Sequence, residues 1–294
     1  MIYNIKNDVL SVSVSSLGAE LWSINYCGKE MLWQGDKKYW GGRAPIMFPI
    51  CGRLFEGKYT YQGKEYTMPN HGIARSSEFS LKEICDEKLV LTLKSNEKTR
   101  EHYPFDFTFD ACFSLEGSKL SVEYIVTNDQ NEGKLIFALG GHPAFNVPYE
   151  DGTAFEDYYV EFCDCCPAKR VDFSPACFCT YDDKLYRSEG TRKIDLSHNL
   201  FDDDAIFLYD VAKEITLGSD KSPISVNMKY EGMKYIGLWH APKTDAPYIC
   251  IEPWLSIPAG QGAIDDLETK KEMVHLAPLG TYKNGYTVEF IERS

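Results

Sequence analysis

Two ionisable residues stand in matching contexts. Lys134–Leu139 is an apolar run that ends in Gly140-Gly141-His142-Pro143, and Tyr248–Ile251 is another that ends in Glu252-Pro253-Trp254. Proline keeps its predecessor out of the helical region, so His142 and Glu252 are both expected in extended backbone at strand ends. A carboxylate at the end of an apolar strand needs a partner or a cavity, because its desolvation is otherwise uncompensated. Taken singly, each residue reads as a solvated strand end. Together they make a candidate acid–base pair: a carboxylate with an ordinary pKa near ~4.3, and an imidazole near ~6.5 that can donate or accept. Gly140-Gly141 would let the backbone come close to a ligand or to another strand.

The ten cysteines are the other candidate chemistry. The densest group is Cys163, Cys165, Cys166, Cys177 and Cys179, but zinc sites use paired C-x₂₋₄-C ligands and neither C-x-C fits that spacing. Glu161–Cys165 reads as a strand and Cys177 and Cys179 as loop thiols, so no metal is expected. There is no G-x-x-x-x-G-K-[ST] loop and no G-x-G-x-x-G on a strand–helix turn, and no nucleotide or other cofactor is expected either.

The elements that must position this pair are strands. Phe105, Phe107, Phe109, Ala111, Phe113 and Leu115 alternate with polar residues, which only an extended chain can turn into one apolar face. Glu116-Gly117-Ser118 then leads into Leu120, Val122 and Tyr124, the second arm of a hairpin. Leu10–Val14 and Leu89–Leu93 alternate in the same way. A second hairpin is expected around Gln62-Gly63, and shorter strands at 214–218, 225–230, 235–239, 248–252 and 286–291. The segment 264–273 is either a short helix or a loop. Many short strands with few short helices predict an all-β protein, antiparallel sheets packed as a sandwich. With no linker or composition break, residues 1–294 read as one domain.

Composition narrows the partners. The chain has 294 residues and a formal net charge of −13. Without a basic block, no nucleic-acid partner is expected. No window approaches the roughly 20 apolar residues of a membrane span, so no membrane partner is expected. The start, MIYNIKNDVLSVSVSS, has no secretory signal pattern, and the cysteines read as reduced thiols; the expected location is the cytoplasm.

Four segments in order carry a resemblance: Tyr39-Trp40 through Arg43-Ala44-Pro45-Ile46-Met47-Phe48-Pro49-Ile50-Cys51-Gly52-Arg53-Leu54, then Pro69-Asn70-His71-Gly72-Ile73-Ala74-Arg75, then Gly141-His142-Pro143-Ala144-Phe145-Asn146, and Ile251-Glu252-Pro253-Trp254. With them the sequence resembles the aldose 1-epimerase (galactose mutarotase-like) family, especially its LacX-like branch. The resemblance implies an antiparallel β-supersandwich and a cofactor-independent isomerase that interconverts the α and β anomers of an aldose. It implies Glu252 as the base that takes the O1 proton and His142 as the acid that protonates the ring oxygen O5. His142 is then expected protonated, and Glu252 ionised with Arg53 or another donor beside it. The resemblance further implies that Arg53 and His71 contact the sugar, and that a carboxylate grips its hydroxyls; the nearest match is Asp204, within Asp202-Asp203-Asp204. Arg75 is either a pocket residue or a brace for the fold, and Trp239 either stacks on a pyranose or packs in the core. The sequence departs from the galactose-specific mutarotases in its short His71–Arg75 motif. The expected partner is therefore an aldohexose or its 6-phosphate, with Arg43, Arg53 and Arg75 as candidate phosphate donors. A glycosidase would use two carboxylates rather than this pair. The rival from another class is a non-catalytic sugar-binding protein, which needs no matched acid and base.

Overall fold

A computed structural model of the protein describes residues 1–186 and 191–293. Strands dominate, as the period-two patterning predicts. Phe107–Glu116 and Lys119–Asn128 form the long hairpin in register from Phe107↔Asn128 to Glu116↔Lys119. Phe107, Phe109, Ala111, Phe113 and Leu115 all point inward and are buried, with Leu120, Val122, Tyr124 and Val126 beside them. The hairpin around Gln62-Gly63 joins Lys58–Tyr61 to Lys64–Thr67. The segment 264–273 is not helical: Asp265–Asp266 pairs parallel with Tyr59 and Thr60, and turns follow. The α-helix among the described residues, Glu97–His102, is six residues long and is closed by a capping box from Asn96 and Thr99.

Two large sheets carry the architecture. In the nine-stranded sheet the long hairpin sits between Lys88–Lys94 and Thr281–Glu292. The eight-stranded sheet includes Ile206–Tyr209, Tyr235–Trp239, Tyr248–Trp254, Gly140–Gly141 and Ile46–Met47 as consecutive neighbours, with Ala144–Asn146 also on Tyr248–Trp254. The sheets meet at close range. A Cβ on Gly141 would lie 2.6 Å from the ring of Tyr286 on the opposing sheet, so the Gly140-Gly141 pair serves strand approach. Nearby, Phe48 packs on Phe107, Phe109 and Phe137 at centroid distances of 5.0, 4.8 and 5.7 Å. This leaves the other face of the eight-stranded sheet, bearing His142 and Glu252, turned away from the inter-sheet core.

The turn at Asn70-His71-Gly72 is fixed against that core. Gly72 has φ +79° and its missing Cβ would lie 2.1 Å from the Phe48 carbonyl oxygen. Gly63 has a similar φ of +74° but open space around it. Gly63→Ala should therefore cost about 1–2 kcal/mol for left-handed backbone alone. Gly72→Ala should cost at least ~2 kcal/mol more, because backbone must move. Urea unfolding midpoints of the two variants check this, and equal midpoints would contradict the contact.

Candidate active site

The register of one strand pair brings the two ionisable residues together. Gly140 lies opposite Trp254 and Ala144 opposite Cys250, and between them the Ile251 N–H donates to the Pro143 carbonyl at 3.1 Å. Antiparallel counting then puts His142 directly across from Glu252, side chains on the same face. His142 Nε2 and Glu252 Oε2 are 3.3 Å apart, with the residues 8% and 2% exposed. On the far side of Glu252 stands Gly237, which offers no side chain. Among the described residues the His142 ring is the polar partner of Glu252, while His142 Nδ1 and the nearby Trp254 Nε1 are buried without a hydrogen bond.

Burial controls the protonation of this pair. Desolvation, reinforced by the negative charge of Asp204, pushes the Glu252 carboxyl well above the carboxylate range. Desolvation, reinforced by Arg75, pulls His142 down to about 3. Both groups are driven to their uncharged forms, so the unliganded pair holds one proton, on the carboxyl. The expectation of a protonated His142 and an Arg53-bound Glu252 is corrected here. The Arg53 guanidinium donates instead to the Ala176 carbonyl at 3.3 Å, and among the described residues no Lys or Arg forms an ion pair with the carboxylate.

A cavity of about 320 Å³ opens above the pair, and Arg53, His71, Arg75, Asp204 and Trp239 all line it. That is the small end of ligand pockets, room for a single compact molecule. His71 adopts φ +64° and its Nδ1 accepts the Gly52 N–H at 3.2 Å, so the ring proton sits on Nε2. Burial, His142, Arg75 and Arg53 together hold His71 well below the ordinary imidazole pKa, making it a neutral donor. It meets His142 and Trp254 edge-on at 5.6 and 5.5 Å. It is at once a turn residue and part of the cavity lining. Asp204 is the member of its acidic triplet that reaches the cavity; its backbone is left-handed at φ +75°. Trp239 Nε1 donates to Asp204 Oδ1 at 2.6 Å, and the indole stands edge-on to His142 at 5.8 Å.

Other candidates fall elsewhere. Arg43 lies over the Trp22 ring at 3.9 Å and donates to Gln34, so it does not line the pocket. Cys163 and Cys165 lie on the strand Tyr158–Cys166 with exposed side chains. Three contributors carried no assigned role in the sequence. Trp40 stacks on His142 at 4.9 Å and 26°. Cys177 lines the cavity and donates to Asp204 Oδ2 at 2.6 Å. Cys250, buried two residues before Glu252 on the same strand face, has a thiol grouped with His142 and Glu252 in one cluster whose ligand atoms lie within 4.8 Å of one another. The only sequence signal for Trp40 was its place in the Tyr39–Leu54 motif; the cysteines carried none.

Comparison with known proteins gives a consistent result. The family model described as aldose 1-epimerase matches residues 1–260. A curated relative, protein LacX (plasmid) of Lactococcus lactis subsp. lactis, is 31% identical over 300 residues, covering 99% of this chain and 100% of that protein. A galactose mutarotase related enzyme from Lactobacillus acidophilus superposes with a TM-score of 0.94 at 34% identity, over 100% of this chain and 98% of that one. A galactose mutarotase-like protein from Lactobacillus casei gives 0.92 at 29% identity, over 99% and 100%. The β-supersandwich follows from these neighbours and from the two large antiparallel sheets. With a match this long and relatives aligned end to end, the chain belongs to the aldose 1-epimerase family.

Proposed function

We propose that the protein is a mutarotase that interconverts the α and β anomers of an aldohexose, with residues 1–294 acting as one domain and the pair His142–Glu252 carrying the protons. The observation that carries this reading is a single one: an imidazole and a carboxyl in contact at 3.3 Å beneath a monosaccharide-sized cavity, with no other polar partner for the carboxyl among the described residues. A buried carboxyl left this way calls for a ligand that supplies hydrogen bonds, and sugar hydroxyls do so. The cytoplasm is the proposed location, supported by ten free thiols.

The proton count dictates the mechanism. One proton on the pair has two placements, carboxylic acid with imidazole or carboxylate with imidazolium, related by transfer across the 3.3 Å contact. A sugar O1 hydroxyl donating to Glu252 favours the carboxylate, because hydrogen bonds to the charged form stabilise it. Glu252 then removes the O1 proton, the electrons form the C1=O1 double bond, the C1–O5 bond breaks, and O5 takes the proton of His142. The pair ends as acid and neutral imidazole, the same form it has before the sugar binds, so the proton count of the site is restored when the ring opens. Rotation about C1–C2 and the reverse transfers close the ring on the other face. Neutral His71 donates through Nε2–H near the reacting end, Asp204 accepts from sugar hydroxyls, and Trp239 offers an aromatic wall.

A specific observation favours a charged variant of the substrate as a second reading. Arg53 and Arg75 line the cavity, and neither guanidinium pairs with a carboxylate among the described residues. Arg75 acts electrostatically on both His71 and His142, which supports its assignment to the O5 end of the proposed sugar. The C6 substituent is also at that end, so a 6-phosphate would meet it.

Polarimetry on freshly dissolved glucose, galactose and glucose 6-phosphate tests the reading, and no acceleration over buffer with any of them would leave only a sugar-binding protein. Glu252→Gln should lower kcat by at least about 100-fold while sugar binding persists; unchanged turnover rejects the assigned base. The same variant should be more stable than the parent at pH 8, where the folded protein must keep a proton that an unfolded Glu releases. That advantage should shrink as pH falls into the ordinary carboxylate range, because both states then hold the proton. For pH dependence, kcat/KM should stay level from pH 7 to pH 5, since burial holds His142 neutral until about 3; a fall centred near the ordinary imidazole value would contradict it. Arg75→Ala should reduce kcat/KM for glucose 6-phosphate about tenfold or more, and an equal loss on glucose would remove the phosphate reading.

A further inference from the structure

Asp204 does not hold its own carboxylate in place. It ends the short turn after His198–Phe201, its N–H donates to the Phe201 carbonyl, and its backbone is left-handed. Among the described residues no hydrogen bond from that turn reaches its side chain. Both oxygens are engaged from outside: Oδ1 by the Trp239 indole N–H at 2.6 Å and Oδ2 by the Cys177 thiol at 2.6 Å. The two donors come from different places. Trp239 ends a strand of the floor sheet, whereas Cys177 sits in an excursion over residues 173–179 that forms a wall of the cavity.

That excursion is itself tied down. The Cys177 N–H donates to the Ser174 carbonyl, the Ser174 N–H to the Phe178 carbonyl, and the Cys179 N–H to the Ala259 carbonyl. The Arg53 guanidinium reaches the Ala176 carbonyl from the opposite side. Cys177 adopts φ +59°, and the turn delivers its thiol to the carboxylate. A thiol is a weak donor and rarely chosen to hold a carboxylate in solvent, but here it is partly buried and its proton is well retained, at about 11.

We propose that Cys177 is a positioning residue for the sugar: resting on the mutarotase reading, its thiol and the Trp239 indole together fix the Asp204 carboxylate so that its remaining lone pairs accept sugar hydroxyls. Asp204 stands at the wall and acts on Glu252 through its charge, which loss of the Cys177 thiol leaves in place, so its grip on the sugar serves ground state and transition state alike. Loss of the thiol donor then loosens binding without touching the proton transfers. Cys177 touches neither O1 nor O5 in this scheme and takes no part in the chemistry.

The test compares Cys177→Ala, Cys177→Ser, Asp204→Ala and the double variant Cys177→Ala/Asp204→Ala by polarimetry, with unfolding midpoints as a check on folding. Cys177→Ala should raise KM about tenfold with kcat within about twofold. Cys177→Ser, which keeps a donor, should restore most of the affinity. In the Asp204→Ala background the Cys177→Ala change should have no further effect, because the group it positions is gone. A wild-type KM in Cys177→Ala, additive losses in the double variant, or a fall in kcat at constant KM would each overturn the proposal. If the parent protein binds sugars without turning them over, the mutarotase reading fails on its own. The same four variants then test the clamp through sugar dissociation constants read from tryptophan fluorescence, with the same tenfold, rescued and non-additive pattern expected. A parent that neither turns over nor binds an aldose overturns both.

Discussion

One strand register decides what this molecule can do. The pairing of Tyr248–Trp254 with the chain on both sides of Pro143 places His142 across from Glu252, and a shift by one residue would send both side chains to the opposite face. The register is held on the inner side, where the intervening residues of these strands face the nine-stranded sheet and Gly141 lies against Tyr286. Packing that seems remote from chemistry therefore sets the imidazole–carboxyl distance. The aromatic contacts of Phe48 support the same interface, and they also back the turn that presents His71. Core and site are two faces of one sheet.

The second constraint is electrostatic. A net charge of −13 suggests an abundance of carboxylates, yet the buried Glu252 gains nothing from cations: Arg53 and Arg75 sit around the cavity without touching it. Cations in contact with Glu252 would hold it ionised and oppose the return of a proton. Burial without a cation does the reverse and leaves the pair's one proton on the carboxyl until a ligand stabilises the carboxylate. Trp40 stacked on His142 and Trp254 beside the pair keep that region dry, and low polarity is what drives both groups to their neutral forms. On the proposed mechanism the stability lost by burying such a pair is retained as reactivity, a trade common at active sites.

How much of this was legible beforehand follows from the range over which each signal acts. Alternating residues in Phe105–Leu115 report their own burial locally, so the strands and the long hairpin could be read directly. His142 and Glu252 were legible through the proline that follows each, again a local effect. Asp204 could be matched only by resemblance, and its neighbours Asp202 and Asp203 looked the same until the left-handed turn singled it out. Arg43 misled because its motif context is close to Arg53, while its actual partner, Trp22, is brought to it by folding that spacing does not encode. Protonation of the pair was misjudged for a related reason: counting nearby charges suggests ionised groups, but desolvation, a property of the whole packed environment, outweighs them. Cys177 and Cys250 had no signal at all, since a thiol's role depends on what folding places beside it.

A division of labour emerges from the origins of the site residues. The groups proposed to handle protons sit on the sheet, where backbone pairing fixes their positions and buried side chains have little freedom. Apart from Trp239 at the end of a floor strand, the groups proposed to hold the sugar come from turns: His71 and Arg75 from the segment after the Gln62 hairpin and Asp204 from the turn after Phe201, with Cys177 of residues 173–179 positioning Asp204. Ring opening is the same reaction for every aldose and tolerates no displacement, which suits a rigid floor. Recognition must differ with each hydroxyl arrangement or C6 substituent, and loops can change without disturbing the strand register beneath them. The cost of that freedom is that loop residues must be held by cross-ties, which explains why the carboxylate of Asp204 takes donors from two other parts of the chain. On the proposed function, substrate choice is accordingly written in the walls, while the chemistry is written in the floor.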